Sequence, residues 1–137
     1  MKHLFFALFC LFSSQILAQN VIVKGEIEGL DEPDELTIAV FVGMHGKVIF
    51  SDSIKSATFE CSFAAPSADI APCMLSFENE KWGSRYRMIY LKPGATYTLK
   101  GIAYDLLGLQ ISSEQVAEQA YETEYSLAVI DYERKQH

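Results

Sequence analysis

The residues able to do chemistry in this 137-residue chain are few and scattered. Cys61 and Cys73 are the thiols of its expected folded part. A thiol oxidoreductase carries two cysteines two residues apart, so that one attacks and the other resolves, and no such pair exists here. A disulfide between Cys61 and Cys73 is open, because strand alternation puts Cys61 on one face with Phe59 and Phe63, and Cys73 on one face with Leu75 and Phe77 of the next strand. Two free thiols packed as small hydrophobes is the other open reading. Arg85, Tyr86 and Arg87, with Trp82 just before them, combine planar guanidinium groups with aromatic rings, a set that suits a carboxylate or a sugar ring. They equally fit a strand covered on both sides, with arginine stems laid over apolar neighbours and Trp82 capping the core.

Other constellations are missing. His45 is the one histidine inside the expected fold, since His3 belongs to the leader and His137 is terminal. It sits at a turn with no cysteine or carboxylate at ligand spacing. The acidic stretch at residues 30–35, LDEPDE, lacks the alternating oxygen ligands and central glycine of a calcium loop, so it reads as a solvated turn. No G-x-S-x-G elbow, phosphate-cradling glycine loop or zinc set is present. The expectation is a protein that is not an enzyme and uses no cofactor or metal.

The start of the chain reads as a leader. Lys2 and His3 precede an apolar run from Leu4 to Phe12, and Ala18 offers the small residue at which a signal peptidase cuts, giving a signal peptide over residues 1–18. The run is too short to span a bilayer, which takes about 20 apolar residues. Cys10 lies inside it rather than after a small residue, against lipidation. Without Lys2, 10 Lys and Arg face 18 Asp and Glu, a net charge of −8. That surface repels phosphate backbones, so nucleic acid is not an expected partner, and the mature chain is expected to be soluble and exported to the periplasm or cell envelope.

The elements that must position these groups are mostly strands. Val21, Val23, Gly25 and Ile27 alternate with Lys24, Glu26 and Glu28, and similar alternation follows through Leu36, Ile38, Val40 and Val42. Glycines in the first strand imply a close backbone approach or a bend. Further strands are expected over residues 47–54, 58–64, 73–78 and 85–91. The sixth ends in Lys92-Pro93-Gly94-Ala95, a type II turn signal that makes residues 88–101 a hairpin or a tight arch. After a last short strand around Leu109 and Ile111, Ser112 and Gln115 form a capping box that opens a helix, whose apolar stripe is Val116, Ala120, Leu127 and Ile130. Tyr121, Ala128 and Tyr132 lie beside that stripe. The expected architecture is mainly β: a small antiparallel β-sandwich of about seven strands over residues 19–111, with one C-terminal amphipathic helix and tail over residues 112–137.

The order of motifs, with Val23-Lys24-Gly25-Glu26-Ile27-Glu28-Gly29, Phe59-Glu60-Cys61-Ser62-Phe63, Tyr90-Leu91-Lys92-Pro93-Gly94 and the strand end at Gly101, resembles a domain of unknown function. In many Gram-negative envelope proteins of the TlpA/ResA or AhpC/TSA thiol-disulfide type, that domain sits between the signal sequence and the thioredoxin-like domain. The resemblance covers residues 21–113. Ser56-Ala57 stands where the family has an Asp-Gly or Asn-Gly turn, and no position matches a redox cysteine. It implies an accessory or binding module near an exported thioredoxin-like protein, with two alternatives: a truncated form of such a protein, or a stand-alone glycan- or peptide-binding sandwich using Trp82, Arg85, Tyr86 and Arg87.

Overall fold

A computed structural model describes residues 20–30, 35–43, 46–81 and 83–136. The leader, residues 31–34 of the acidic turn, His45 and Trp82 lie outside the described residues. Eight strands are present among them: β1 (Asn20–Glu28), β2 (Leu36–Val42), β3 (Val48–Ile54), β4 (Thr58–Ala64), β5 (Ala71–Asn79), β6 (Gly83–Leu91), β7 (Thr96–Ile102) and β8 (Gln110–Ser112). A 3-10 turn, Leu106–Gly108, separates β7 from β8, and one helix, α1 (Glu118–Gln136), follows.

The strands form two four-stranded sheets, ordered β4-β1-β7-β8 and β3-β2-β5-β6. All pairings are antiparallel except β1 with β7, which run parallel. Period-two burial drives the assembly. Val21, Val23 and Ile27 from β1, Leu36, Ile38 and Val40 from β2, Leu75 and Phe77 from β5, and Tyr97 and Leu99 from β7 all enter one apolar interior. β5 starts at Ala71, before Pro72. Proline is tolerated there because pairing with β2 begins only at Val42↔Cys73, so its missing N–H faces no partner on that side.

The segment after β6 is an arch rather than a hairpin, since β6 and β7 belong to different sheets. Its turn has Pro93 at the first central position and Gly94 at the second with φ +80, and the Ala95 N–H donates to the Lys92 carbonyl at 3.1 Å. Tyr97, fully buried, ties the two limbs together. Its hydroxyl donates to the Tyr90 carbonyl and accepts from the Lys92 N–H at 2.9 Å.

In β1, Gly25 makes room for a side chain and not for a backbone. A Cβ there would stand 2.0 Å from Cζ of Phe59, whose ring crosses it from β4. Among the described residues no helix is long and apolar enough to cross a membrane.

Candidate functional site

Sheets of four strands leave edges, and the free backbone groups of an edge must find partners. β6 ends one sheet and β8 ends the other, and α1 lies along both. Gln119, fully buried, offers β6 an amide that stands in for a neighbouring strand: its Oε1 accepts from the Tyr90 N–H at 3.0 Å and its Nε2 donates to the Met88 carbonyl at 3.1 Å. One turn further on, the Thr123 hydroxyl does the same for β8, donating to the Ile111 carbonyl at 2.9 Å and accepting from the Ile111 N–H at 3.3 Å. The helix is therefore a closing strap whose inward stripe is polar: Gln119, Glu122, Thr123 and Ser126.

Arg87 fills the space between the two edges. It points inward from β6 with Ile89 and Leu91, and its guanidinium meets Glu122 in a two-pronged pair, Nε to Oε1 at 2.7 Å and Nη2 to Oε2 at 2.9 Å. Its Nη1 donates to the Leu107 and Leu109 carbonyls at 2.9 and 2.7 Å, which ties the 3-10 turn to the same point. The side chains of Arg87 and Glu122 are 2% and 8% exposed. Ser126 completes the cluster, its hydroxyl donating to Glu122 Oε1 at 2.9 Å.

The helix start differs from the expected capping box. Ser112 is still in β8, α1 begins at Glu118, and Gln115 Oε1 accepts from the Thr96 N–H at 3.3 Å instead of closing back on Ser112. The expected apolar stripe is displaced as well. Val116 is buried but precedes the helix, Ala120 and Leu127 are exposed, and Ile130 alone among the stripe's residues within α1 is partly covered. The tyrosines point outward too, with Tyr121 and Tyr125 more than two-thirds exposed.

Above the Arg87–Glu122 floor, α1 and the outer face of β6 and β5 enclose an open groove of about 670 Å³. Tyr121, Tyr125 and Val129 form the helical wall. Tyr86, Met88, Tyr90 and Met74 form the wall of the sheet, and Glu133 lies at one end. Tyrosines give contact area at little conformational cost and methionines adapt to what they touch, the ordinary make-up of a ligand site. On the other flank of the helix lies a hollow of about 450 Å³ between α1 and the 3-10 turn, where Arg134 reaches Asp105 at 3.5 Å.

The residues singled out in the sequence are divided by this arrangement. Tyr86 is exposed and lines the groove. Arg87, its neighbour on the opposite strand face, lies under the helix at the floor of that groove, bonded to Glu122 and the two carbonyls. Arg85 is exposed, its Nη1 donating to the Ser84 carbonyl at 2.8 Å. Cys61 and Cys73 are buried free thiols on different sheets, both turned to the common interior. Burial, with Asp52 and Glu60 nearby, pushes the Cys61 thiol up to about 11, and burial raises Cys73 as well. Both are thereby kept as inert thiols at neutral pH. Gln119, Glu122, Thr123 and Ser126 were not legible as site residues, although their i, i+3, i+4, i+7 spacing is that of a buried helical face.

No protein-family model matches this chain, and no curated protein or solved structure matches it either.

Proposed function

We propose that this chain is an exported, non-catalytic binding module whose site is the tyrosine-walled groove between α1 and β6. One observation carries the reading: three separate elements bring Tyr86, Tyr90, Tyr121 and Tyr125 with Met74 and Met88 around a single solvent-reaching cavity, over a floor whose charges neutralise each other. Export is supported by the leader features of residues 1–18. The test uses a neutral apolar dye, Nile red, whose emission rises on entering an apolar groove. The folded chain should enhance it, and Tyr86→Ala with Tyr125→Ala should abolish the enhancement while the circular dichroism stays that of the parent, because both side chains are exposed. A double variant that binds the dye as the parent does would end this reading.

A second reading follows from the resemblance: α1 docks an exported thioredoxin-like protein. Leu127 and Tyr132, apolar and exposed on the helix, favour it. Leu127→Ser with Tyr132→Ser should then weaken association with such a protein in analytical ultracentrifugation, and no association with the parent chain would reject it.

A further inference from the structure

We propose that the groove takes a small, soluble organic cation of the quaternary ammonium class, an inference that rests on the groove being the binding site. Charge sets the sign of the ligand. Arg87, the one cationic side chain in the lining, already faces Glu122 at 2.7 and 2.9 Å and gives two more donors to backbone carbonyls, so four of its five N–H groups are taken and its charge is matched, which leaves an anion little to hold. Glu133 lies in the lining with no ion-pair partner among the described residues, which leaves the groove one negative charge in excess. The aromatic walls act in the same direction, because the face of a phenol ring carries the negative part of its quadrupole and attracts a cation.

The kind of cation follows from what the walls lack. A primary ammonium entering the groove must replace the water on three N–H donors; Glu122 and Ser126 are already bonded, and away from Glu133 and the tyrosine hydroxyls the lining is ring face and thioether, which accept weakly. A methylated nitrogen has no N–H, sheds its water more easily and presents methyl groups that pack on rings and thioethers. The volume of about 670 Å³ is that of a small-molecule site, within the roughly 300–1,000 Å³ such sites occupy.

Calorimetric titration of the folded chain with choline and with its neutral carbon isostere, 3,3-dimethyl-1-butanol, separates charge from shape. Choline should bind about tenfold more tightly, the factor that a cation–π contribution of ordinary size produces. Tyr86→Leu with Tyr125→Leu keeps apolar wall and should cut the preference severalfold while the isostere binds as before; Glu133→Gln should weaken choline alone. Equal affinity for the two probes, or no binding of either, overturns the proposal, and retained Nile red binding in that case shows that the groove reading itself survives. Association with phosphatidylcholine vesicles without binding of free choline would also overturn it, since the ligand would then be a membrane surface.

Discussion

Glu122→Gln tests the central joint of the fold. The substitution keeps the shape and one acceptor of the side chain but removes the charge that faces Arg87 at 2.7 and 2.9 Å. Arginine cannot shed its proton to escape, so a buried guanidinium is left uncompensated. Removing one partner of a buried pair costs about 3–5 kcal/mol. Two of Arg87's bonds run to the Leu107 and Leu109 carbonyls and persist, which places the expected loss near the lower end, about 3 kcal/mol. That is a large part of the roughly 5–15 kcal/mol that holds a domain of this size together. Urea unfolding should show the midpoint falling by about 1–2 M with the slope unchanged. Asp131→Asn is the control. Asp131 meets Lys135 at 3.2 Å with both side chains largely in water, a pair worth well under about 1 kcal/mol. Replacing both members together, as Arg87→Met with Glu122→Leu, should restore part of the loss: the uncompensated charge is then gone, but the Leu107 and Leu109 carbonyls lose their donor. A Glu122→Gln variant no less stable than the Asp131→Asn control would refute the claim that α1 is locked down by this pair.

Three further outcomes follow from the same geometry. Gln119→Leu keeps the helix volume but strips the Tyr90 N–H and Met88 carbonyl of their partner, and should cost about 1–3 kcal/mol with faster amide exchange at Tyr90, read by NMR. Tyr97→Phe leaves the Tyr90 carbonyl and Lys92 N–H unbridged across the arch; a loss of about 1–2 kcal/mol in urea is expected, and no change would show that the turn needs no tie. Stability should be level through neutral pH and fall as pH rises from 9 through 11. Cys61 titrates at 9.0 in the unfolded chain and at about 11 in the fold, so above pH 9 the unfolded state binds fewer protons and is favoured. Cys73 and Tyr97, both raised by burial, steepen the same decline, and Cys61→Ala should flatten its early part in thermal melts across that range.

Most of the sandwich was legible because its signal is simple and strong. Leu36, Ile38 and Val40 alternate with half-covered Thr37, Ala39 and Phe41, and a one-residue slip would turn the whole set out of the core. Lys92-Pro93-Gly94-Ala95 specified its own turn by proline's fixed φ and glycine's positive one. Alternation fixes only which face is inward, however, and says nothing of which strand lies alongside. The parallel neighbourhood of β1 and β7 and the crossing of the arch between sheets were therefore not readable. The same limit applied in β6. Its inner face is covered by the core and its outer face only in part, beside the helix, yet both carry large side chains, so the pattern could not say that Arg87 goes under and Tyr86 stays out.

The helix was misread for an instructive reason. A helix that packs on a sheet face buries oil, and Val116, Ala120, Leu127 and Ile130 are the stripe such packing would choose. α1 packs on sheet edges instead, where the surface to be covered is a row of peptide groups, and the side chains that satisfy peptide groups are amides and hydroxyls. Gln119 and Thr123 hold the buried positions for that reason, and Glu122 holds its position because the gap between the edges contains a cation. The consequence reaches the proposed site. Once the inward stripe is occupied by polar groups, Tyr121, Tyr125 and Val129 lie on the outward turn beside β6, across from Tyr86 and Tyr90. The aromatic groove is thus set by the hydrogen-bonding needs of the strand edges, and a variant that loosens the strap at Gln119, which holds the backbone of Met88 and Tyr90, should weaken dye binding although every side chain of the walls is kept.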